Sequence, residues 1–414
     1  MTSIGTTSKG DFSIDLTKHT NVEGMSGMGK TSLLQNLFLG WVRSGGGGLF
    51  IDPHGDAADY IASHFPKTRV QDFIWFDPDR SSVPPLNPLY FKNAKELEMG
   101  KETLFSTVKS LAGSAWGDES ARVTVNAIDA VCKRFEHPTP VHVFRFMVDD
   151  GFRTKVLDAS KDPLLRFFQK QYDEKLRDSE QMSKFSPAIN KFAKFLRPNI
   201  MPVIGQETSL DFLDIMNTSK VLVCRFSKGR LGEEVAQLLY SFVVSMVSIA
   251  ALRREKQKER PHFLCVFDEV QNGIHGGRFA SLLAEGRKYG ISTVNATQGM
   301  YQLPFAKDLF SNCPTQIAYN VSGEDAKAIA DSWRYVNFKG QALLPEHITA
   351  LPRYEFWART FDAHNEPVVE RVRCHPPLKR QGDEMAKEEL VKQSLMRYSN
   401  WKKDVAAKVL KDLS

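Results

Sequence analysis

The stretch Gly24-Met25-Ser26-Gly27-Met28-Gly29-Lys30-Thr31 constrains this chain more than any other. It fits G-x-x-x-x-G-K-[ST], a pattern whose glycines let successive backbone N–H groups turn inward around an anion. Lys30 can reach the β- and γ-phosphates of a nucleotide, and the Thr31 hydroxyl can ligate Mg²⁺. The apolar run that begins at Ser32 predicts a helix with its N-terminus aimed at the phosphates. That helix should end near Ser44, because Gly45-Gly46-Gly47-Gly48 cannot sustain it. Gly24 through Ser32 is therefore the expected binding site for ATP with Mg²⁺. The residues just before it, Lys18-His19-Thr20-Asn21-Val22-Glu23, are mostly polar where an apolar strand is expected.

A second motif lies downstream. His262-Phe263-Leu264-Cys265-Val266-Phe267 reads as a buried strand, and it ends in Asp268-Glu269. An ATPase needs this arrangement, with Asp268 holding the Mg²⁺ shell and Glu269 deprotonating the attacking water. The strand Ile291–Ala296 leads to Gln298, an amide placed to sense the γ-phosphate. Arg287 ends the preceding helix; by position it is either structural or a residue that acts on a neighbouring subunit's nucleotide. Asp52-Pro53-His54-Gly55-Asp56 ends another short apolar strand. Ligands gather at such strand ends, although a polar Pro-Gly loop reads the same way.

The chain has 414 residues, enough for two or three domains, and its net charge of +6 leans mildly toward polyanions. No pair of its five cysteines has C-x-x-C spacing, which removes the usual zinc and disulfide signatures. Cys224 and Cys265 sit in apolar runs, as small core residues do. Met1 to Asp15 is polar and unlike a signal sequence. The longest apolar run, Leu238–Leu252, reads as a buried helix too short to span a bilayer. A cytoplasmic protein is expected, with any recruitment to the inner membrane made through a partner.

The pattern predicts an α/β fold with four parts. Residues 1–91 form the first part of a nucleotide-binding domain and carry the phosphate loop. Residues 92–205 form an all-helical insertion, with helices expected at Ala94–Leu111, Ser120–Phe135, Val141–Val148, Pro163–Leu176 and Ala188–Leu196. Its Lys184, Lys191, Lys194 and Arg197 suit either a solvated face or contacts to DNA phosphates. Residues 206–376 complete the nucleotide-binding domain, ending in a hairpin of Tyr354–Thr360 and Pro367–Arg373. Residues 377–414 form a charged helical tail. Its weak apolar stripe, from Val391 to Val409, would dock on a neighbouring subunit or stay loosely attached.

Several longer motifs narrow the reading. Asp52–Asp56, Phe226-Ser227-Lys228-Gly229-Arg230-Leu231-Gly232-Glu233, Glu285-Gly286-Arg287-Lys288-Tyr289-Gly290 and Ala296-Thr297-Gln298 resemble the conjugative coupling-protein (TraG/TrwB-like) and HerA-like branch of the HerA–FtsK superfamily. The resemblance runs from about Lys18 to Thr360. It implies a RecA-like P-loop core with a mainly parallel sheet and an all-α domain that caps a homohexameric ring around DNA. By the same resemblance Lys30 and Thr31 are the phosphate and Mg²⁺ residues, and Asp268 and Glu269 the metal-holding and catalytic carboxylates. Gln298 would be the γ-phosphate sensor and Arg287 the arginine finger. Two features depart from the family: membrane-spanning helices are missing at the start, and Glu23 stands where an apolar residue is usual. The function implied is an ATP-driven DNA translocase of type IV secretion and conjugation, with a relaxase or secretion component as partner. The alternatives are a HerA-like motor working with a nuclease and a secretion ATPase that never grips DNA.

Overall fold

A computed structural model describes residues 1–91, 93–112, 114, 116–160, 162–167, 179–272, 277–300, 303–335, 342–362, 364–377 and 383–413. They form two compact units. The first comprises Met1–Trp75, Phe212–Ser227 and Ala250–Ser394, and the second Phe76–Asp211, Lys228–Ile249 and Leu395–Ser414.

The first unit is built on a mixed sheet. Its centre is parallel: β3 (Thr20–Glu23), β4 (Gly47–Asp52), β7 (Val221–Arg225), β8 (Phe263–Phe267), β9 (Ile291–Thr297) and β10 (Thr315–Ala318) lie in the order β10-β3-β9-β8-β4-β7. β5 (Phe73–Phe76) follows β7. β8 reads as an unbroken apolar run, and β4 and β7 nearly so, because a parallel sheet is covered on both faces. Every residue of β4 and of β8 is buried. Gly48 shows how close the layers come: a Cβ there would stand 2.7 Å from the Leu264 carbonyl oxygen and 2.8 Å from the Phe38 ring.

An antiparallel edge continues the sheet beyond β10: β11 (Glu355–Phe361), β12 (Pro367–Cys374), β1 (Thr2–Thr7) and β2 (Gly10–Ile14). The expected β11–β12 hairpin is present. The N-terminal lead-in is a complete hairpin of β1 and β2.

The expected polar approach to the phosphate loop is a real strand in the middle of the sheet. His19, Thr20, Asn21 and Glu23 are all buried. Neighbouring polar groups answer several of them: His19 Nδ1 lies 2.9 Å from Thr293 Oγ1, and Asn295 Nδ2 donates to Thr20 O at 3.2 Å. A polar strand can be central where side chains on adjacent strands complete its hydrogen bonds.

The second unit is helical: Ala94–Ala112, Asp118–Arg134, Pro140–Val148, Asp150–Asp158 and Ser179–Ala193. Local sequence sets its boundaries. Thr139 and His142 form a reciprocal capping box ahead of Pro140, and Asp149 caps the next helix by accepting from Phe152 N at 2.9 Å. The helix expected over 163–176 lies outside the described residues from 168 onward. The one expected at Ala188 starts earlier, at Ser179, and continues through Pro187. Lys191 and Lys194 both pair with Glu234.

The tail is two helices, not one stripe: Glu384–Tyr398 and Lys402–Leu413, with β13 (Asn400–Trp401) between them paired to β6 (Ser82–Val83). Both helices pack within the chain. In the first unit Leu390, Val391 and Ser394 are buried, and Ser394 Oγ accepts from Trp75 N at 2.7 Å. In the second unit Val409 clusters with Val141 and Met201.

The long apolar helix also differs from expectation. It spans Glu233–Arg253, 21 residues, long and apolar enough to cross a membrane. Yet 89% of its most apolar window is buried within the protein, as in a core helix.

Candidate active site

Three parallel strands bring the candidate residues to one edge. In register, Glu23 of β3 faces Thr297 of β9, and Asn295 of β9 faces Phe267 of β8. The chain leaves β3 as Gly24, β9 as Gln298 and β8 as Asp268. Segments far apart in sequence therefore meet at the carboxyl end of the sheet, where parallel α/β folds bind ligands.

The phosphate loop takes the conformation its glycines allow. Gly27 has φ +80° and Gly29 φ +111°, both left-handed. Gly29 opens the helix Lys30–Arg43 with no side-chain cap, which leaves the first-turn amides for an anion. Met25, Ser26, Gly27 and Thr31 are exposed, and Met28 and Ser32 partly so. The Lys30 ammonium is buried, donating to Gly24 O at 2.5 Å and Met25 O at 3.1 Å. Burial lowers its pKa, against the opposing pull of Glu269 and Asp268.

The paired carboxylates differ in setting. Asp268 is buried, and its pKa is pushed up to about 7, first by burial and then by the charges of Asp52 and Glu269, with Lys30 opposing. Asp268 is therefore a buried carboxyl under the charge of two other carboxyls, partly offset by one ammonium. Glu269 has φ +52°, a left-handed conformation that costs a non-glycine residue about 1 kcal/mol or more. Its carboxylate accepts from Gln298 Nε2 at 3.0 and 3.1 Å, and from Gln271 Nε2. The structure thus joins Lys30, Asp268, Glu269 and Gln298.

Arg287 is not joined to them. It is exposed, in a turn (Gly286–Tyr289) just before β9, at the opposite end of the sheet. Its neighbours there are His19 and His262, both lowered to about 4 by burial first, with Arg287's charge among the lesser causes.

Two further residues belong beside the site: Asp52, in the strand-end turn that the sequence left open between a ligand site and a polar loop, and Tyr354, which escaped the sequence reading. Asp52 holds its turn by accepting from His54 N at 2.7 Å and Ala58 N at 2.9 Å, and it presses its charge on Asp268. Its place at a strand end was the available signal. Tyr354 roofs the phosphate loop: its N–H donates to Met28 O at 2.9 Å, and a Cβ on Gly29 would meet its ring at 2.6 Å. No sequence pattern links residues so far apart.

Residues 262–332 match the family model described as the TraM recognition site of TraD and TraG. The fold matches solved structures over nearly the whole chain. The bacterial conjugative coupling protein TrwBdeltaN70, unbound, aligns with TM-score 0.63 at 15% identity, covering 92% of this chain and 90% of that one. TrwB in complex with ADP and Mg²⁺ gives TM-score 0.64 at 15% identity over 92% and 91%. VirB4 of Thermoanaerobacter pseudethanolicus gives 0.61 at 13% over 91% and 97%. No curated protein matches by sequence. At these identities the structural likeness establishes the fold, a RecA-like P-loop architecture.

Proposed function

We infer that this chain, which has the TraG/TrwB-type coupling-protein fold, is an ATP-driven motor that moves DNA in a conjugation or type IV secretion system. The observation that carries the reading is the Gln298–Glu269 bond, made at the edge where Lys30 and Asp268 already meet. Mg²⁺ and a triphosphate, when bound, would supply a reactive phosphoanhydride and its charge neutralisation. Residues Gly24–Ser32 cradle the phosphates, with Lys30 contributing positive charge. Asp268 and Thr31 would hold the Mg²⁺. Glu269 takes the proton from the attacking water, and Gln298 orients the Glu269 carboxylate.

Exposed Arg287, at the far end of the sheet from its own chain's phosphate loop, acts on a neighbour's nucleotide in a homohexameric ring. Arg287→Ala subunits mixed with Glu269→Gln subunits recover part of the turnover that each lacks alone; failure at every mixing ratio removes the trans role. The likeness to the conjugative coupling protein TrwB and the TraM-recognition match support a DNA-transfer role with a relaxase-type or secretion partner. ATP hydrolysis measured with and without DNA tests the reading. Strong stimulation by DNA is expected, and Lys30-dependent hydrolysis indifferent to DNA contradicts it in favour of a secretion ATPase.

A further inference from the structure

Glu23 and Asp325 carry a consequence beyond nucleotide binding, and it rests on the ATPase reading above. Glu23, the last residue of β3, is buried, and so is Asp325 in the first turn of the helix Gly323–Trp333. One backbone N–H serves both: Met300 N lies 3.1 Å from Glu23 Oε1 and 3.2 Å from Asp325 Oδ1. Ser322 Oγ holds the other Asp325 oxygen at 2.8 Å. Met300 stands two residues after Gln298, and Glu23 immediately precedes the phosphate loop. The intervening Gly299 has no room for a side chain, since a Cβ there would lie 2.8 Å from Asp325 Oδ2. At its front the segment is tied by Gln298 to Glu269; at its back it is tied by Met300 to the two acids.

We propose that Glu23 and Asp325 share one proton and, as a positioning pair, fix the Gln298-bearing segment against the root of the phosphate loop. Two carboxylates on one N–H in a buried site cannot both ionise without repelling, and their separation would release Met300 and with it Gln298. Burial first, and then the charge of Asp325, raises the Glu23 pKa to about 8. Among the described residues, Asp325 is the one charged side chain that acts on Glu23, and Tyr319, whose N–H donates to the Glu23 carbonyl oxygen, is kept neutral by burial.

The test compares the full chain with Glu23→Gln, which mimics the protonated acid, and with Asp325→Asn. At saturating Mg-ATP, wild-type kcat falls above neutral pH, about tenfold by pH 9, with KM little changed. Both variants keep turnover at pH 7 and lose this alkaline limb. Melting, which needs no turnover, gives the second readout. Wild-type Tm falls as pH rises from 5.5 to 8, and this component is absent from Glu23→Gln. Wild-type and variant profiles that run parallel in both readouts overturn the pair. Absence of Lys30-dependent hydrolysis with the Tm difference intact overturns only the ATPase reading.

Discussion

Asp268 and Glu23 end strands of the same sheet, two positions apart at the same edge, and both are buried carboxyls held above their ordinary range. Their surroundings separate them. Asp268 faces two carboxylates and an ammonium, and the open phosphate loop follows β3 at the same sheet edge. In the mechanism proposed above, a cation would relieve its discomfort. Glu23 faces one carboxyl and one backbone N–H, with no cation among its influences. Its discomfort is relieved by a proton. Burial alone therefore does not mark a catalytic carboxylate; the partner that would neutralise it does.

Substitution tests that contrast most strongly. Asp268→Asn lowers Mg-ATP turnover by about 10²–10³-fold, the usual loss when one preorganised electrostatic group goes. Glu23→Gln at pH 7 lowers it by less than about threefold, because the amide preserves the neutral partner. Comparable losses from the two, in a steady-state assay, erase the distinction.

Linkage sharpens the comparison further. A carboxyl with a raised folded pKa keeps a proton that the unfolded chain has lost, so stability falls as pH rises between the two values. For Asp268 that window runs from 3.8 to about 7, and for Glu23 from 4.5 to about 8. Each contributes a slope of at most about 1.4 kcal/mol per pH unit. Mg²⁺ with a non-hydrolysable ATP analogue flattens the Asp268 share and leaves the Glu23 share. Denaturant melts at several pH values, with and without ligand, read both. Gly299→Ala probes one side alone. Its Cβ meets Asp325 Oδ2 at 2.8 Å, and we expect about 1–3 kcal/mol of lost stability by chemical denaturation, with less effect on Mg²⁺ dependence.

The site was legible where spacing encodes chemistry. Gly24–Thr31 and Asp268-Glu269 carry their pattern locally, the apolar run of β8 places Asp268 at a strand end, and the mixed strand β9 leads to Gln298. The polar β3 was the misfit, because hydrophobic periodicity cannot register side-chain bonds made across strands, such as His19 to Thr293. Tyr354 and Asp325 were invisible for a similar reason: their contacts with the phosphate loop and with Met300 exist only after the sheet is assembled. The tail showed a stripe from Val391 to Val409, yet Asn400–Trp401 forms a strand instead, and the two halves bury their apolar residues separately.

Calorimetric titration of the chain with an ATP analogue and Mg²⁺ tests the central claim most directly. One binding event per chain is expected in wild type, dependent on Mg²⁺ and abolished by Lys30→Ala. Equal binding by the Lys30→Ala protein, or none by wild type, contradicts a nucleotide site at the carboxyl edge of the sheet.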